Sequence, residues 1–421
     1  MMLSEQLRKL RRRVVVTGVG AVTPVGLTFD ATWDAFLAGR SGVAQISTFD
    51  TDDLPTSIAG QIKDFDPAPY LPRSVARRMD SYAQYAMAAA LQAQQSAKLT
   101  IDESNADRVG VLIGSGYGAV NSIDEFSVTI RRKGPRAISP FAPITGAIDS
   151  AAGEISMALT ARGPSRAISS ACATGTDALG EAARWIQFGM ADAVVVGGAD
   201  NCVTRVDLAG SGNARALSRR VDAPEEASRP FDEDRDGFVM SAGAGVLVLE
   251  DAERAEQRGA TVLAEVLGYG CSSDAYHWTA PQPEGLGAKR AMRAALADAG
   301  IRPEQVDHVN AHGTGTKLND ASEVASLREV LGERATRIPV CSIKSMTGHM
   351  IGAAGAVEAI TAVRTIRTGI VPPTINCHRP LDPEFNFVPG EPQTHDVRVA
   401  MSNSFGFGGH NAVVVLGAWE R

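Results

Sequence analysis

The chain has 421 residues, of which 44% are hydrophobic and 21% charged, a composition that suits a globular protein built as one large or two fused α/β domains. Its net charge of -7 argues against general affinity for nucleic acid or an anionic membrane surface, so any acidic partner needs a local basic patch. The 5 cysteines (Cys172, Cys202, Cys271, Cys341, Cys377) show no paired spacing and predict reduced thiols in the cytoplasm, and no apolar run reaches the roughly 18 residues of a membrane span.

In chain order, MMLSEQLRKLRRR reads as a basic, solvated lead-in, and the apolar run after it, Val14 to Val16, is too short for a signal-peptide core. RVVVTGVGAVTPVG predicts a strand that enters a glycine-rich loop, and RVGVLIGSGYG repeats the pattern near residue 110. Neither glycine cluster fits the GxGxxG dinucleotide fingerprint, so tight turns account for both. ADAVVVGGAD, GAGVLVLED and HNAVVVLG are nearly continuous in Val and Leu, as expected of strands buried on both faces. Between them DALGEAARWIQFG sets Leu179, Ala182, Ala183 and Ile186 at helical spacing.

The pattern runs twice. RVGVLIGSG, then SRAISSACATGTDALGEAARWI, then DAVVVGGAD is matched by VDHVNAHGTGT, then VCSIKSMTGHMIGAAGAVEAITAV, then RVAMSNSFGFGGHNAVVVLG. We therefore expect one compact unit of two similar halves, residues 1–260 with the cysteine and residues 261–421 with two histidines. Cys172 and His349 occupy comparable turns, which would meet if the halves face each other.

Cys172, in SSACATG, follows an apparent strand and starts a helix, where unpaired N–H groups and the dipole favour thiolate over thiol. A buried, inert cysteine is the competing reading of the local sequence. His312 in NAHGTGT and His349 in KSMTGH lie at further strand-to-helix turns, which makes a set of one thiol and two imidazoles. No two ligands stand at zinc-site spacing, so no metal is expected. The glycines of GFGGHN allow close backbone approach, and its N–H groups suit an anion.

SSACATG, SRPFDEDRDGF, NAHGTGT, KSMTGHMIGAAGAVEA and NSFGFGGHN, spread over residues 12–418, resemble the β-ketoacyl-acyl carrier protein synthase family, nearest to the elongating synthase II type. The resemblance implies the α/β thiolase fold, two βαβαβαβ halves in a five-layer αβαβα arrangement. It implies decarboxylative Claisen condensation on an acyl-Cys172 enzyme, with His312 and His349 as the paired imidazoles and no cofactor. Lys344 matches the family's active-site lysine and Glu358 its partner, so Lys344 is expected to hold the histidines in place through Glu358. The N–H groups of Cys172 and Phe407 are the expected oxyanion hole, and Phe407 the gate.

Two departures stand out. Ser241-Ala242 replaces a family Gly-acid pair before Gly243, and Tyr117 stands where a smaller residue commonly lines the acyl pocket, which predicts a reshaped tunnel or else a subunit contact. The expected partner is an acidic acyl carrier protein, docked on Arg73, Arg77, Arg78, Arg219 and Arg220. A homodimer is expected, or a heterodimer with a chain-length partner if the chain is the ketosynthase subunit of a type II polyketide system. A non-catalytic partner subunit is the third reading, and Cys172 speaks against it.

Overall fold

The computed structural model describes residues 11–420, so the basic lead-in before Arg11 lies outside the described residues. Ten strands form one hydrogen-bonded sheet. The first half supplies β1 (Val14–Val22), β2 (Val109–Gly114), β3 (Ser165–Arg166), β4 (Ala193–Asn201) and β5 (Ala242–Asp251). The second supplies β6 (Ala264–Ser273), β7 (His308–Asn310), β8 (Val340–Cys341), β9 (Val399–Gly406) and β10 (His410–Gly417).

The strand order is β8-β7-β9-β10-β6-β1-β5-β4-β2-β3, so each half repeats the same sequence of neighbours. In each, the last strand runs antiparallel to the two it separates, while the other pairs are parallel. The halves join through an antiparallel pairing of Val15 with Glu265 and Val16 with Ala264. That contact consumes two sheet edges that would otherwise be exposed for mispairing.

The main helices are α1 (Ser81–Ala97), α2 (Val120–Lys133), α3 (Ser150–Leu159), α4 (Thr174–Gln187), α5 (Leu286–Ala299), α6 (Lys317–Leu331) and α7 (Ala354–Thr368). The two-residue period of the strands sorts their side chains between cores. On β4 and β5, Val194, Val196, Leu247 and Leu249 face the central core, which α4 and α7 fill. Their neighbours Val195, Val246 and Val248 face an outer core under α1 and α3. On β10, Val414 and Leu416 point to the central core, while Val413 and Val415 point to a second outer core under α5 and α6. The layers are therefore helix, strand, helix, strand, helix, as the resemblance implied.

The glycines of GVGAV are not turn residues, contrary to the expectation. Gly18 and Gly20 lie within β1, where a Cβ would stand 2.2 Å from the carbonyls of Ala93 and Ala89 on α1. Gly268 and Gly270 repeat the device on β6, at 2.5 and 2.3 Å from the carbonyls of Ala295 and Ala291 on α5. They are strand glycines that let an alanine-faced helix lie directly on the sheet.

Candidate active site

Both central helices begin through the same backbone device. Ala171 adopts a φ of 51°, a single helical turn covers Ala171–Ala173, and α4 follows. Ile351 adopts a φ of 49°, a single turn covers Ile351–Ala353, and α7 follows. The residue structurally matched to Cys172 is thus Gly352, and His349 sits three residues earlier, which corrects the matching of the two turns expected from sequence. The turns meet at the middle of the molecule: a Cβ on Gly175 would lie 2.8 Å from Gly352 O.

Cys172, 5% exposed, lines a cleft of about 380 Å³ with Tyr117, His312, His349, Phe238 and Phe407. The imidazole rings of His312 and His349 stand 5.5 Å apart at 81°. His349 Nδ1 accepts the Ile351 N–H at 3.2 Å, which leaves the ring proton on Nε2. That Nε2 is buried and has no hydrogen-bond partner among the described residues, and His349 lines the cleft. His312 Nδ1 lies 3.4 Å from Lys344 Nζ, a cation that can only donate, so its proton also belongs on Nε2. Burial, then the Lys344 charge, push both imidazoles well below the usual histidine range, and both are neutral. The arrangement is two N–H donors beside a thiol in one cleft.

Lys344 and Glu358 are both buried and hydrogen-bonded to each other. Lys344 Nζ also donates to His312 O at 2.6 Å. The lysine therefore braces His312 directly rather than through Glu358, and it makes no hydrogen bond to His349 among the described residues. Burial raises the Glu358 carboxyl while Lys344 pulls it back. His349 is braced by other means. Its N–H donates to Val239 O at 2.7 Å, and Ser241 Oγ donates to Thr347 O at 2.7 Å, so Ser241, at the departure from the family pattern, secures the His349 loop.

The expectation of a thiolate fails on balance. Burial pushes the Cys172 thiol up to about 11, against the N–H of Phe407 and the Lys344 charge, and Asp200 adds to the rise. A helix start favours the anion locally, but desolvation by burial outweighs it. The N–H groups of Cys172 and Phe407 both act on the sulfur, which puts the two expected oxyanion donors side by side. Gly406 makes this possible, since a Cβ there would stand 3.0 Å from Cys172 N.

Tyr117 lines the cleft and is 38% exposed. The predicted docking arginines divide. Arg73, Arg77 and Arg219 are exposed, whereas Arg78 pairs with Glu154 at 3.2 Å and lies over the Phe141 ring, and Arg220 donates to Asp234 O. Exposed cations missed from sequence, Arg215 and Lys317, line the cleft itself. Also missed were Asp320 and Glu323. Glu323 accepts the N–H groups of His312 and Gly313 at 2.8 Å each, and Asp320 accepts those of Thr314 and Gly315 at 3.1 and 3.3 Å. The two acids stand three apart beside Val324 and Leu327 on the buried face of α6, a spacing that could have shown them.

Residues 11–255 match the Beta-ketoacyl synthase, N-terminal domain, and residues 263–378 match the Beta-ketoacyl synthase, C-terminal domain. The chain is 45% identical over 412 residues to 3-oxoacyl-[acyl-carrier-protein] synthase 2 of Synechocystis sp., covering 97% of this chain and 99% of that protein. It is 47% identical over 409 residues to the protein of the same name from Vibrio cholerae, covering 96% and 99%. Among solved structures, the ishigamide ketosynthase/chain length factor superposes with a TM-score of 0.90 at 36% identity, over 97% of this chain and 100% of that one. A type II ketosynthase in complex with its acyl-carrier protein, and bound to the hexaketide, gives a TM-score of 0.89 at 33% identity over 97% and 100%. With its duplicated fold, its thiol and its paired imidazoles in one cleft, the chain belongs to the beta-ketoacyl synthase family.

Proposed function

We propose that the chain is an acyl carrier protein-dependent condensing enzyme, a 3-oxoacyl synthase, with Cys172 as its nucleophile and the division between its halves near residue 260. The observation that carries this reading is a buried thiol facing two neutral imidazoles whose Nε2–H groups are free to donate. Cys172 sulfur attacks the acyl thioester carbonyl, its proton leaves with the carrier's thiol, and the acyl group stays on sulfur. The N–H groups of Cys172 and Phe407 hold the oxygen that becomes negative. Malonyl carrier protein then loses CO2, the electron pair of the broken C–C bond becomes an enolate, and His312 and His349 donate to its oxygen. The enolate carbon attacks the acyl carbonyl, the C–S bond breaks, and the departing Cys172 sulfur takes a proton from solvent to return to the thiol. Lys344, paired with Glu358, fixes the His312 tautomer, and Phe407 is the gate over the sulfur.

Mass spectrometry of Cys172 after exposure to a panel of acyl carrier proteins, then to malonyl carrier protein, tests the proposal. An acyl adduct on Cys172 followed by a ketoacyl product is expected. No adduct and no product would overturn it.

Carrier docking is assigned to exposed Arg73, Arg77 and Arg219, with Arg215 and Lys317 at the cleft. A second copy of the chain is the proposed partner on the face formed by α2, which buries none of its side chains, and by exposed Ile123, Ile130, Phe141 and Ile144. β3 is an edge strand of the sheet, which favours continued pairing across two copies. The chain-length heterodimer is the second reading, favoured by the ketosynthase and chain length factor structures it resembles. A cytoplasmic location is proposed; no helix among the described residues is long and apolar enough to cross a membrane.

A further inference from the structure

The reaction described above gives no role to Asp200, a buried acid near the cleft. Asp200, near the end of β4, is fully shielded from solvent and forms no ion pair among the described residues. Its carboxylate instead gathers four donors from two separate turns. Oδ1 accepts the Ser115 hydroxyl at 2.6 Å and the Tyr117 N–H at 3.1 Å, and Oδ2 accepts the N–H groups of Gly116 at 2.9 Å and Gly352 at 2.7 Å. Ser115 Oγ itself accepts the Gly118 N–H at 2.8 Å, which leaves its proton for Asp200. Burial pushes the Asp200 carboxyl upward and these donors pull it back. Four donors on two oxygens leave no place for a proton, so the ionised form is the one that fits.

Two glycines pack against the carboxylate. A Cβ on Gly352 would stand 2.5 Å from Asp200 Oδ2, and one on Gly116 3.2 Å from the same oxygen. Gly352 follows Ile351, whose left-handed backbone is costly for a β-branched residue and persists only where the surroundings enforce it. In that conformation the Ile351 N–H reaches His349 Nδ1.

We propose that Asp200 is a positioning residue for the condensation: by tying Gly352 to the Ser115–Gly118 turn it holds Ile351 in its left-handed conformation, and through the Ile351 N–H it keeps His349 as an Nε2–H donor. The same carboxylate fixes the backbone of Tyr117, so one group sets both the acyl wall and the donor. This rests on the reading of His349 as a donor to the malonyl thioester oxygen.

The test separates the two half-reactions in full-length protein carrying Asp200→Asn. Whichever way the amide turns, its NH2 meets a backbone N–H, and the clamp weakens. Malonyl carrier decarboxylation is expected to fall about 30-fold, while acyl loading of Cys172 stays within about threefold, because losing a neighbouring negative charge makes the thiol easier to ionise. Nitrogen-15 spectra of histidine-labelled protein should show His349 as the Nε2–H tautomer in the wild type and as a mixture in the variant. Equal losses in both half-reactions, or an unchanged tautomer, would overturn the proposal. If Asp200→Asn fails to fold, Ser115→Ala removes one of the four donors and should show the same ordering at about threefold, an unchanged ratio counting against it. Failure of the wild type to load Cys172 at all would instead sink the condensing reading and is seen in the same experiment.

Discussion

Replacing Glu358 by Gln strands the Lys344 ammonium in the interior. Each side chain of the pair is 1% exposed, so neither charge can turn to water. Breaking a buried pair by removing one partner costs about 3–5 kcal/mol, whereas replacing both by apolar groups of similar volume is often close to neutral. For a chain of this length about 1 kcal/mol shifts the melting temperature by roughly 1 °C, so Glu358→Gln should melt about 3–5 °C lower. The double variant Lys344→Met, Glu358→Leu should recover most of that loss. Activity should not follow, because Lys344 also faces His312 Nδ1 at 3.4 Å and His312 O at 2.6 Å. With methionine at position 344, nothing fixes the proton on His312 Nε2, and malonyl decarboxylation should fall about 100-fold. Thermal melts paired with CO2 release measure both quantities. A double variant that melts with the single one, or that regains activity along with stability, would refute the reasoning.

His312→Ala and His349→Ala should each lower decarboxylation about 100- to 1000-fold while Cys172 still takes an acyl group, as radiolabel transfer from an acyl carrier protein would show. Because the Cys172 thiol is raised to about 11, its alkylation should speed up about tenfold for each pH unit between 7 and 9, and a plateau below pH 8 would contradict its burial. Exposed Cys271 is the internal reference for the reagent in the same mass spectra. Tyr117→Ala should raise kcat/KM for long acyl primers at least tenfold over short ones, about 1.4 kcal/mol, and equal turnover would remove Tyr117 from the acyl wall. Charge reversal at Arg215 and Lys317 should raise KM for the carrier protein and flatten its salt dependence, whereas Arg78→Ala should lower stability through the lost Glu154 contact and leave KM nearly unchanged.

The strands and the repeat were legible because a strand buried on both faces must be apolar at nearly every position, and β4, β5 and β10 are. Cys172, His312 and His349 were legible as a thiol and two imidazoles at turns, and the structure brings them to one cleft, although His349 stands three residues from the position matched to Cys172. What sequence did not show was set by tertiary contact. The state of the Cys172 thiol follows from burial by residues scattered through the chain, which overrides the local pull of a helix start. Gly18 and Gly20 read as turn residues because the alanine face that presses on them belongs to α1, some seventy positions later. Asp200 looks like an ordinary strand-end acid, since its partners lie 83 to 85 positions before it and 152 after it.

The matched left-handed residues Ala171 and Ile351 have a consequence for how the two halves diverged. Duplication yields two equivalent sockets, and a reaction on one sulfur can use only one of them as a seat for substrate. Cysteine in one socket and glycine in the other divide the labour. The first opens on the cleft, while the second is plugged by Asp200, whose bulk leaves no room for any side chain at position 352. Positions 172 and 352 are therefore not interchangeable, and a cysteine moved to the second socket would meet a carboxylate where the first meets a cleft.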